Sequence, residues 1–250
     1  MAKRKRYKLT PSTLIIIIIL TIFSLVVNKP DNNTNSNNQQ DSTGLTTGKQ
    51  RVNTGSEYQD LAKLEYSNEQ ELIINNNDPN FSNQDLSTTN GSWQEYGDLD
   101  SLGRATIANA LLNKDLMPTE KRKRLTVDPT GYQHKRVNND WLYNRSHLIG
   151  FQLTGQNNNL ENLMTGTRSL NSPGMNHYEM DIAYFLKNNP DKYIRYQVRP
   201  IYRGNELVAR GVQMKAQSIG SDAIKFNVYI FNIEDNVKID YSNGNSQIIQ

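Results

Sequence analysis

Two alternating segments decide the fold of this chain: Tyr193-Ile-Arg-Tyr-Gln-Val-Arg-Pro-Ile-Tyr202 and Glu206-Leu-Val-Ala-Arg-Gly-Val-Gln-Met-Lys215. Between them lies Arg203-Gly-Asn205, which is typical of a hairpin turn. The segment Phe226-Asn-Val-Tyr-Ile-Phe-Asn-Ile233 is of the same kind. Because successive side chains of a strand point to opposite faces, these segments predict neighbouring antiparallel strands.

Outside these strands, two segments have helical spacing. The first is Tyr178–Lys187, which is stopped by Asn188-Asn-Pro190. The second is 103–113, where the apolar side chains Ile107, Ala110 and Leu111 recur at helical intervals. Both are predicted to be helices.

A further short strand is predicted at Glu71-Leu-Ile-Ile-Asn75, before the turn at 76–79. A cluster of strands with a few helices predicts an α+β fold with a central, mainly antiparallel sheet flanked by helices. The folded domain is expected to span residues 56–250, which is within the ordinary size of one domain.

The N-terminus has the pattern of a targeting segment. Residues 3–8 are Lys-Arg-Lys-Arg-Tyr-Lys, and an almost unbroken apolar run follows from Leu14 to Val27. The run ends without an Ala-x-Ala cleavage pattern, so residues 1–27 are interpreted as an uncleaved signal anchor, with a cleaved signal peptide as the alternative. Positive charges before the run hold that end in the cytoplasm, so the rest of the chain is predicted to be exported.

Residues 28–55 are predicted to be a flexible tether between membrane and domain. The stretch 31–50 is rich in Asn, Ser and Thr and contains one large aliphatic residue, Leu45. Such a composition cannot bury enough apolar surface to offset chain entropy. The domain is therefore expected on the extracellular side of the membrane, or secreted if the signal is cleaved.

Composition excludes several kinds of chemistry. The chain has no cysteine and three histidines, so thiolate catalysis and zinc–cysteine sites are impossible, and any metal should be a hard cation on oxygen ligands. Six of its 28 basic residues lie among the first thirty residues, which leaves 22 against 25 acids, a net charge of −3, for the remainder. A nucleic-acid function must therefore rest on a local site.

The segment from Leu142 to Glu179 carries that site. It contains Arg145-Ser-His147, and a neutral imidazole can take a proton from water near pH 7, while a guanidinium matches phosphate oxygens. Asn171 and Glu179 offer oxygens to a hydrated cation such as Mg²⁺. These groups are suited to metal-assisted phosphodiester hydrolysis.

The same segment resembles the active-site region of the DNA/RNA non-specific endonuclease family of the ββα-metal type. It is most similar to the branch of streptococcal DNA-entry and secreted DNases. The resemblance rests on Arg145-Ser-His147, then Glu161-Asn-Leu163, then Thr165-Gly-Thr-Arg168, leading to Asn171. It extends over about 103–241, more than half of the chain.

The resemblance implies a role for each matching residue. His147 would be the general base, and Arg145 would stabilise the transition state. Asn171 would be the protein ligand of a hydrated Mg²⁺, with Mn²⁺ as an alternative, and Glu179 would orient the metal-bound waters. Asn162 would be structural. Products would carry 5′-phosphate ends.

One position departs from the family pattern. Members commonly carry Asp where this chain has Asn144. Asn accepts a hydrogen bond but has no charge, so any help to the histidine or the metal is weaker. We expect a changed rate or pH optimum rather than loss of activity.

Other cations are candidate contacts to the phosphates of DNA, or of RNA. Lys135 and Arg136 follow His134 and lie near the run Lys121-Arg-Lys-Arg124, and Arg168 lies between the site elements. This cluster is either a patch that binds the nucleic-acid backbone or a solvated loop. No recognition helix or finger motif is visible, so binding through phosphates without sequence specificity is expected.

The leading hypothesis is an exported, membrane-tethered, metal-dependent endonuclease. One rival is a surface DNA receptor with a weakened site, which would bind DNA without cutting it. The other is an unrelated envelope protein or adhesin, which would do neither. The joint presence of His147, Asn171 and Glu179 favours the enzyme.

Overall fold

The computed structural model describes residues 57–137 and 139–249. The predicted anchor (1–27) and tether (28–55) lie outside this part of the chain. Within the described residues, no helix combines the length and the apolar character needed to cross a bilayer.

The centre of the fold is a six-stranded, fully antiparallel sheet with strand order β1-β10-β9-β8-β3-β2. The strands in chain order are β1 Glu71–Ile73, β2 Trp93–Tyr96, β3 Ala108–Leu112, β4 Arg136–Val137, β5 Asp140–Trp141, β6 Tyr143–His147, β7 Leu163–Thr167, β8 Ile194–Ile201, β9 Gly211–Ser218, β10 Lys225–Phe231, β11 Val237–Ile239 and β12 Ser246–Ile248. The helices are α1 Glu57–Lys63, α2 Phe151–Thr154 and α3 Asn176–Asn188. The α+β fold class is as predicted.

The alternation seen in the sequence sorts the sheet into two faces. Val198, Met214 and Val228 lie in register across β8, β9 and β10, and all three are buried in the main core. On that side α3 packs against the sheet through Ile182 and Leu186. A second, smaller core on the opposite face joins α1 to the sheet.

The predicted helix at 103–113 is wrong, because this segment contains β3. Ala108, Ala110 and Leu112 alternate toward the main core, while Leu111 is buried on the other face. A strand buried on both faces shows apolar residues at almost every position, which includes helical spacings. Pairing with β8 on one side and β2 on the other therefore decides the structure.

The predicted turn between β8 and β9 is longer than Arg203-Gly-Asn205. The strand β9 begins at Gly211, five residues later than the alternation suggested. Arg210 donates from Nε to Oε2 of Glu206 at 2.8 Å, and Arg104 donates to the carbonyl oxygens of Gly204 and Glu206. These contacts hold residues 202–210 as a loop.

The strands β6 and β7 form a separate antiparallel pair, and α3 follows them in the chain. This is the predicted ββα arrangement. Asn232, fully buried just after β10, joins the pair to the sheet: its Oδ1 accepts from Thr167 N at 2.8 Å, and its Nδ2 donates to Thr165 O at 3.0 Å and to Ala209 O at 2.9 Å.

Replacing Asn232 should remove the hydrogen bonds that join the β6–β7 pair to the central sheet. In Asn232→Ala, one backbone N–H and two carbonyl groups lose their buried partner, and we expect a loss of about 2–4 kcal/mol in the free energy of unfolding. Urea denaturation measures it. Asn188→Ala is the matched control, because Asn188 is exposed and donates only to the carbonyl of Tyr184. Similar midpoints for both variants would contradict the prediction.

Candidate active site

A cleft of about 420 Å³ opens beside the β6–β7 pair. Its walls come from β6, the turn at Gly150, the start of α3 and the segment before Leu125. Five of the residues singled out from the sequence line it: Asn144, Arg145, His147, Asn171 and Glu179. The fold thus brings together side chains that are up to 35 positions apart in the chain.

His147 is the last residue of β6 and is 7% exposed. Its Nε2 lies 3.0 Å from the carbonyl oxygen of Asn157. A carbonyl oxygen only accepts, so this contact assigns the proton of the neutral ring to Nε2 and leaves a lone pair on Nδ1. Burial, helped by the charge of Arg122, lowers the pKa of His147 against the opposing effect of the Asn157 and Gln156 carbonyls. The imidazole is therefore neutral and basic at pH 7.

Glu179 lies in the first turn of α3 and is buried. Its Oε1 accepts from the backbone N–H of Gly150 at 2.7 Å, and its Oε2 accepts from Nε2 of Gln152 at 3.0 Å. The hydroxyl of Tyr196 is 3.4 Å from Oε1. Burial raises the pKa of Glu179 to about 7, although these hydrogen bonds oppose the shift. The carboxyl group is therefore poised between its two protonation states near neutral pH.

Gly150 is required by the close approach of Glu179. A Cβ atom at this position would lie 2.2 Å from Oε2 of Glu179. The backbone of Gly150 has φ −59°, which any residue can adopt, so space rather than conformation selects glycine here.

Two asparagines shape the loops around the site. Asn162 is fully buried, and its side chain accepts from the N–H of Ile149 at 2.9 Å and donates to the carbonyl of the same residue at 3.0 Å. It therefore fixes the turn that leaves His147. Asn171, half-buried in the segment Leu170–Met175, makes no side-chain hydrogen bond with the described residues and faces the cleft.

Arg145 is held on two sides. Its Nε and Nη2 both lie 2.5 Å from Oδ1 of Asp128, and its guanidinium sits 4.8 Å from the ring centroid of Tyr132. The neighbouring Asn144 also lines the cleft, opposite Gly166 of β7.

The basic run 121–124 divides between two surfaces. Arg122 and Arg124 line the cleft, whereas Lys121 and Lys123 line an adjacent depression that also includes Phe151. We call this run the basic arm.

The other predicted substrate contacts do not line the cleft. Lys135 donates to the carbonyl of Ser246, Arg136 stacks on Trp141, and Arg168 forms an exposed ion pair with Asp140. Their role in binding stays a prediction.

Sequence reasoning missed three contributors to the site. Gly150 and Asp128 gave no local signal, because their importance comes from contacts across the fold. Arg122 belongs to a basic run that is visible in the sequence, but the run does not show which of its members face the cleft.

The strand pair β6–β7 and the helix α3 that follows it in the chain border the cleft that contains the buried imidazole of His147. A family model for DNA/RNA non-specific endonucleases matches residues 86–220, more than half of the chain. The chain belongs to this family.

Among individual relatives, a deoxyribonuclease from Streptococcus dysgalactiae subsp. equisimilis is 34% identical over 110 residues. That match covers 42% of this chain and 33% of the relative, so the chain spans about a third of the length of this curated protein.

Solved structures agree on the fold. NucA from Streptococcus agalactiae with magnesium bound has a TM-score of 0.63 at 23% identity, covering 70% of this chain and 85% of NucA. Its metal-free form has a TM-score of 0.65 at 24% identity, covering 79% and 98%. The Sda1 nuclease with bound zinc has a TM-score of 0.54 at 27% identity, covering 61% and 79%.

Removing the charge of Arg122 should raise the pKa of His147, because a nearby cation disfavours the imidazolium. NMR titration of the imidazole in Arg122→Gln measures this, and the chain has only three histidines to assign. Arg124→Gln is the control, since Arg124 also lines the cleft but is not a cause of the shift. An unchanged or lower pKa in Arg122→Gln would contradict the electrostatic account.

Glu179→Gln should stabilise the metal-free protein at pH 8 and not at pH 5. A carboxyl group whose pKa is raised by folding costs stability as the pH rises from 4.5 through about 7. Removing the charge should increase the free energy of unfolding by up to about 3 kcal/mol above pH 7. Urea unfolding in chelator at both pH values is the measurement, with the exposed Glu120→Gln as control. An equal change in the free energy of unfolding at both pH values would contradict the presence of a buried carboxylate that ionises between them.

Proposed function

We propose that this chain is a metal-dependent endonuclease that hydrolyses phosphodiester bonds of DNA, with RNA as a second substrate, without sequence specificity. The observation that carries the proposal is the meeting of His147, Arg145, Asn171 and Glu179 in one cleft. This set combines a base, a phosphate-binding cation and oxygen donors for a metal ion.

His147 serves as the general base. Its depressed pKa keeps the imidazole neutral at pH 7, and the Asn157 carbonyl fixes the ring through Nε2. A neutral imidazole with one free lone pair can accept a proton from the attacking water. The attack on phosphorus then leaves a 5′-phosphate on one product, as the family resemblance implies.

The donor set fits a cation that keeps most of its waters. Within the described residues, no group of three or more His, Asp or Glu side chains is placed to hold a metal ion. Asn171 offers an amide oxygen and Glu179 a carboxylate that reaches through water, which suits Mg²⁺, with Mn²⁺ as the alternative. When bound, such an ion supplies positive charge to the leaving oxygen. Its charge also favours the ionised form of Glu179.

Substrate binding is assigned to cations that face the cleft. Arg145, Arg122 and Arg124 present guanidinium groups that match phosphate oxygens. Contacts to phosphate position the backbone but carry no sequence information. A substrate held in this way is cut without sequence preference.

We assign the enzyme to the extracellular side of the membrane through its N-terminal segment, or to the medium if that segment is cleaved. The basis is the sequence pattern of residues 1–27.

A second candidate is a surface DNA receptor that binds without cutting. The observation behind it is Asn144, which places an uncharged amide in the cleft at a position where the family resemblance implies a carboxylate. Retained DNA binding with no cleavage in any divalent metal would favour this receptor.

The test is nicking of supercoiled plasmid by the full chain with Mg²⁺, with chelator, and with the variant His147→Ala. We expect cleavage that needs the metal and falls by about 10²–10⁴ in the variant, as for loss of a general base. His177→Ala is the matched control, because His177 is exposed and does not line the cleft. Equal losses in the two histidine variants, or no cleavage by the wild type, would refute the proposal.

A further inference from the structure

Asp128 connects two side chains that line the cleft. Its Oδ1 lies 2.5 Å from both Nε and Nη2 of Arg145, and its Oδ2 lies 3.3 Å from Nε2 of His134. Both His134 and Arg145 line the cleft. Each carboxylate oxygen of Asp128 therefore contacts a different side chain.

These contacts decide which edge of Arg145 can meet a phosphate. A guanidinium has two edges that can donate a pair of hydrogen bonds: Nε with Nη2, and Nη1 with Nη2. Asp128 occupies the first edge, and the ring of Tyr132 covers one face at 4.8 Å. The edge formed by Nη1 and Nη2 is the one that remains for substrate.

We propose that Asp128 is a positioning residue that orients Arg145 so that its Nη1–Nη2 edge meets the phosphate of the transition state. This inference rests on the proposed nuclease function. The negative charge of Asp128 also weakens binding of the substrate, which is a polyanion, before reaction. Asp128 therefore lowers affinity for the ground state and increases the rate of the bound complex, which is how catalysis by differential binding operates.

The chain contains a structural twin of this pair outside the cleft. Asp100 accepts from Nε of Arg104 at 2.7 Å and from its Nη2 at 2.6 Å through one oxygen, and Arg104 lies 4.4 Å from the ring centroid of Tyr202. The two pairs share the contact of one carboxylate oxygen with Nε and Nη2 and a tyrosine ring beside the guanidinium, although the other oxygen of Asp100 accepts from the N–H groups of Leu102 and Arg104. Arg104 does not line the cleft. Asp100→Asn is therefore a matched control for losing an Asp–Arg–Tyr arrangement in general.

The experiment compares Asp128→Asn, Asp128→Glu and Asp100→Asn in the full chain. The turnover of saturating plasmid in Mg²⁺ is measured beside the affinity for a short fluorescent DNA duplex in chelator. For Asp128→Asn we expect turnover to fall about tenfold from the misplaced guanidinium. We expect DNA to bind about threefold more tightly, since one negative charge is gone. Asp128→Glu should restore part of the turnover, and Asp100→Asn should change neither quantity per folded molecule.

The double variant with Arg145→Ala tests whether Asp128 acts through Arg145. If it does, Asp128→Asn has no further effect on turnover once Arg145 is removed. An equal tenfold loss in both backgrounds would overturn the proposal, and so would a loss of turnover accompanied by weaker DNA binding and a lower Tm.

A readout without cleavage separates this inference from the nuclease proposal. The Nε–H resonance of Arg145 in ¹⁵N-labelled protein should be protected from exchange in the wild type and lose that protection in Asp128→Asn. If the wild type does not cut plasmid, the proposed function fails, while this resonance and the duplex affinity still decide whether Asp128 holds Arg145. An unprotected resonance in the wild type would refute the positioning role by itself.

Discussion

The hydrogen bond from the N–H of Gly150 to Oε1 of Glu179 is the constraint on which the site depends. It joins the turn that follows His147, the last residue of β6, to the helix α3, which carries Glu179. It forms only because no side chain at position 150 separates the two. The buried carboxylate raises the energy of the folded state near neutral pH. The cleft therefore contains a buried carboxyl group that lowers the stability of the fold, as is common at functional sites.

Much of the fold could be predicted from the sequence because its strands alternate. The segments at 193–202 and 226–233 show the pattern of strands β8 and β10, and the helix at 178–187 is α3. The segment at 103–113 was wrongly predicted to be a helix, because β3 is buried on both faces and its sequence does not alternate between apolar and polar residues. The strand β9 begins later than its alternation predicts, because side chains distant in sequence, such as Arg104, hold residues 202–210 as a loop.

The site was predictable to the extent that its chemistry is local. Arg145 and His147 lie two residues apart, and the segment that carries Asn171 and Glu179 resembles a known motif, so the sequence singled out all four. Asp128 and Gly150 act through contacts made only in the folded chain, and no spacing reveals them. Basic residues were the least predictable group, since charge alone does not say whether a side chain faces the cleft, as with Arg122, or pairs elsewhere, as with Arg168.

The alternation within the basic arm has an evolutionary consequence. Arginines face the cleft and lysines face away, because neighbouring residues of this run point to opposite sides. Deleting or inserting one residue before Arg122 would exchange the two sets and place ammonium groups, which bind phosphate as point charges, where guanidinium forks now stand. A change of two residues would preserve the arrangement. A single insertion or deletion that shifts the register of this arm would therefore change the chemistry of the cleft without changing the net charge of the protein.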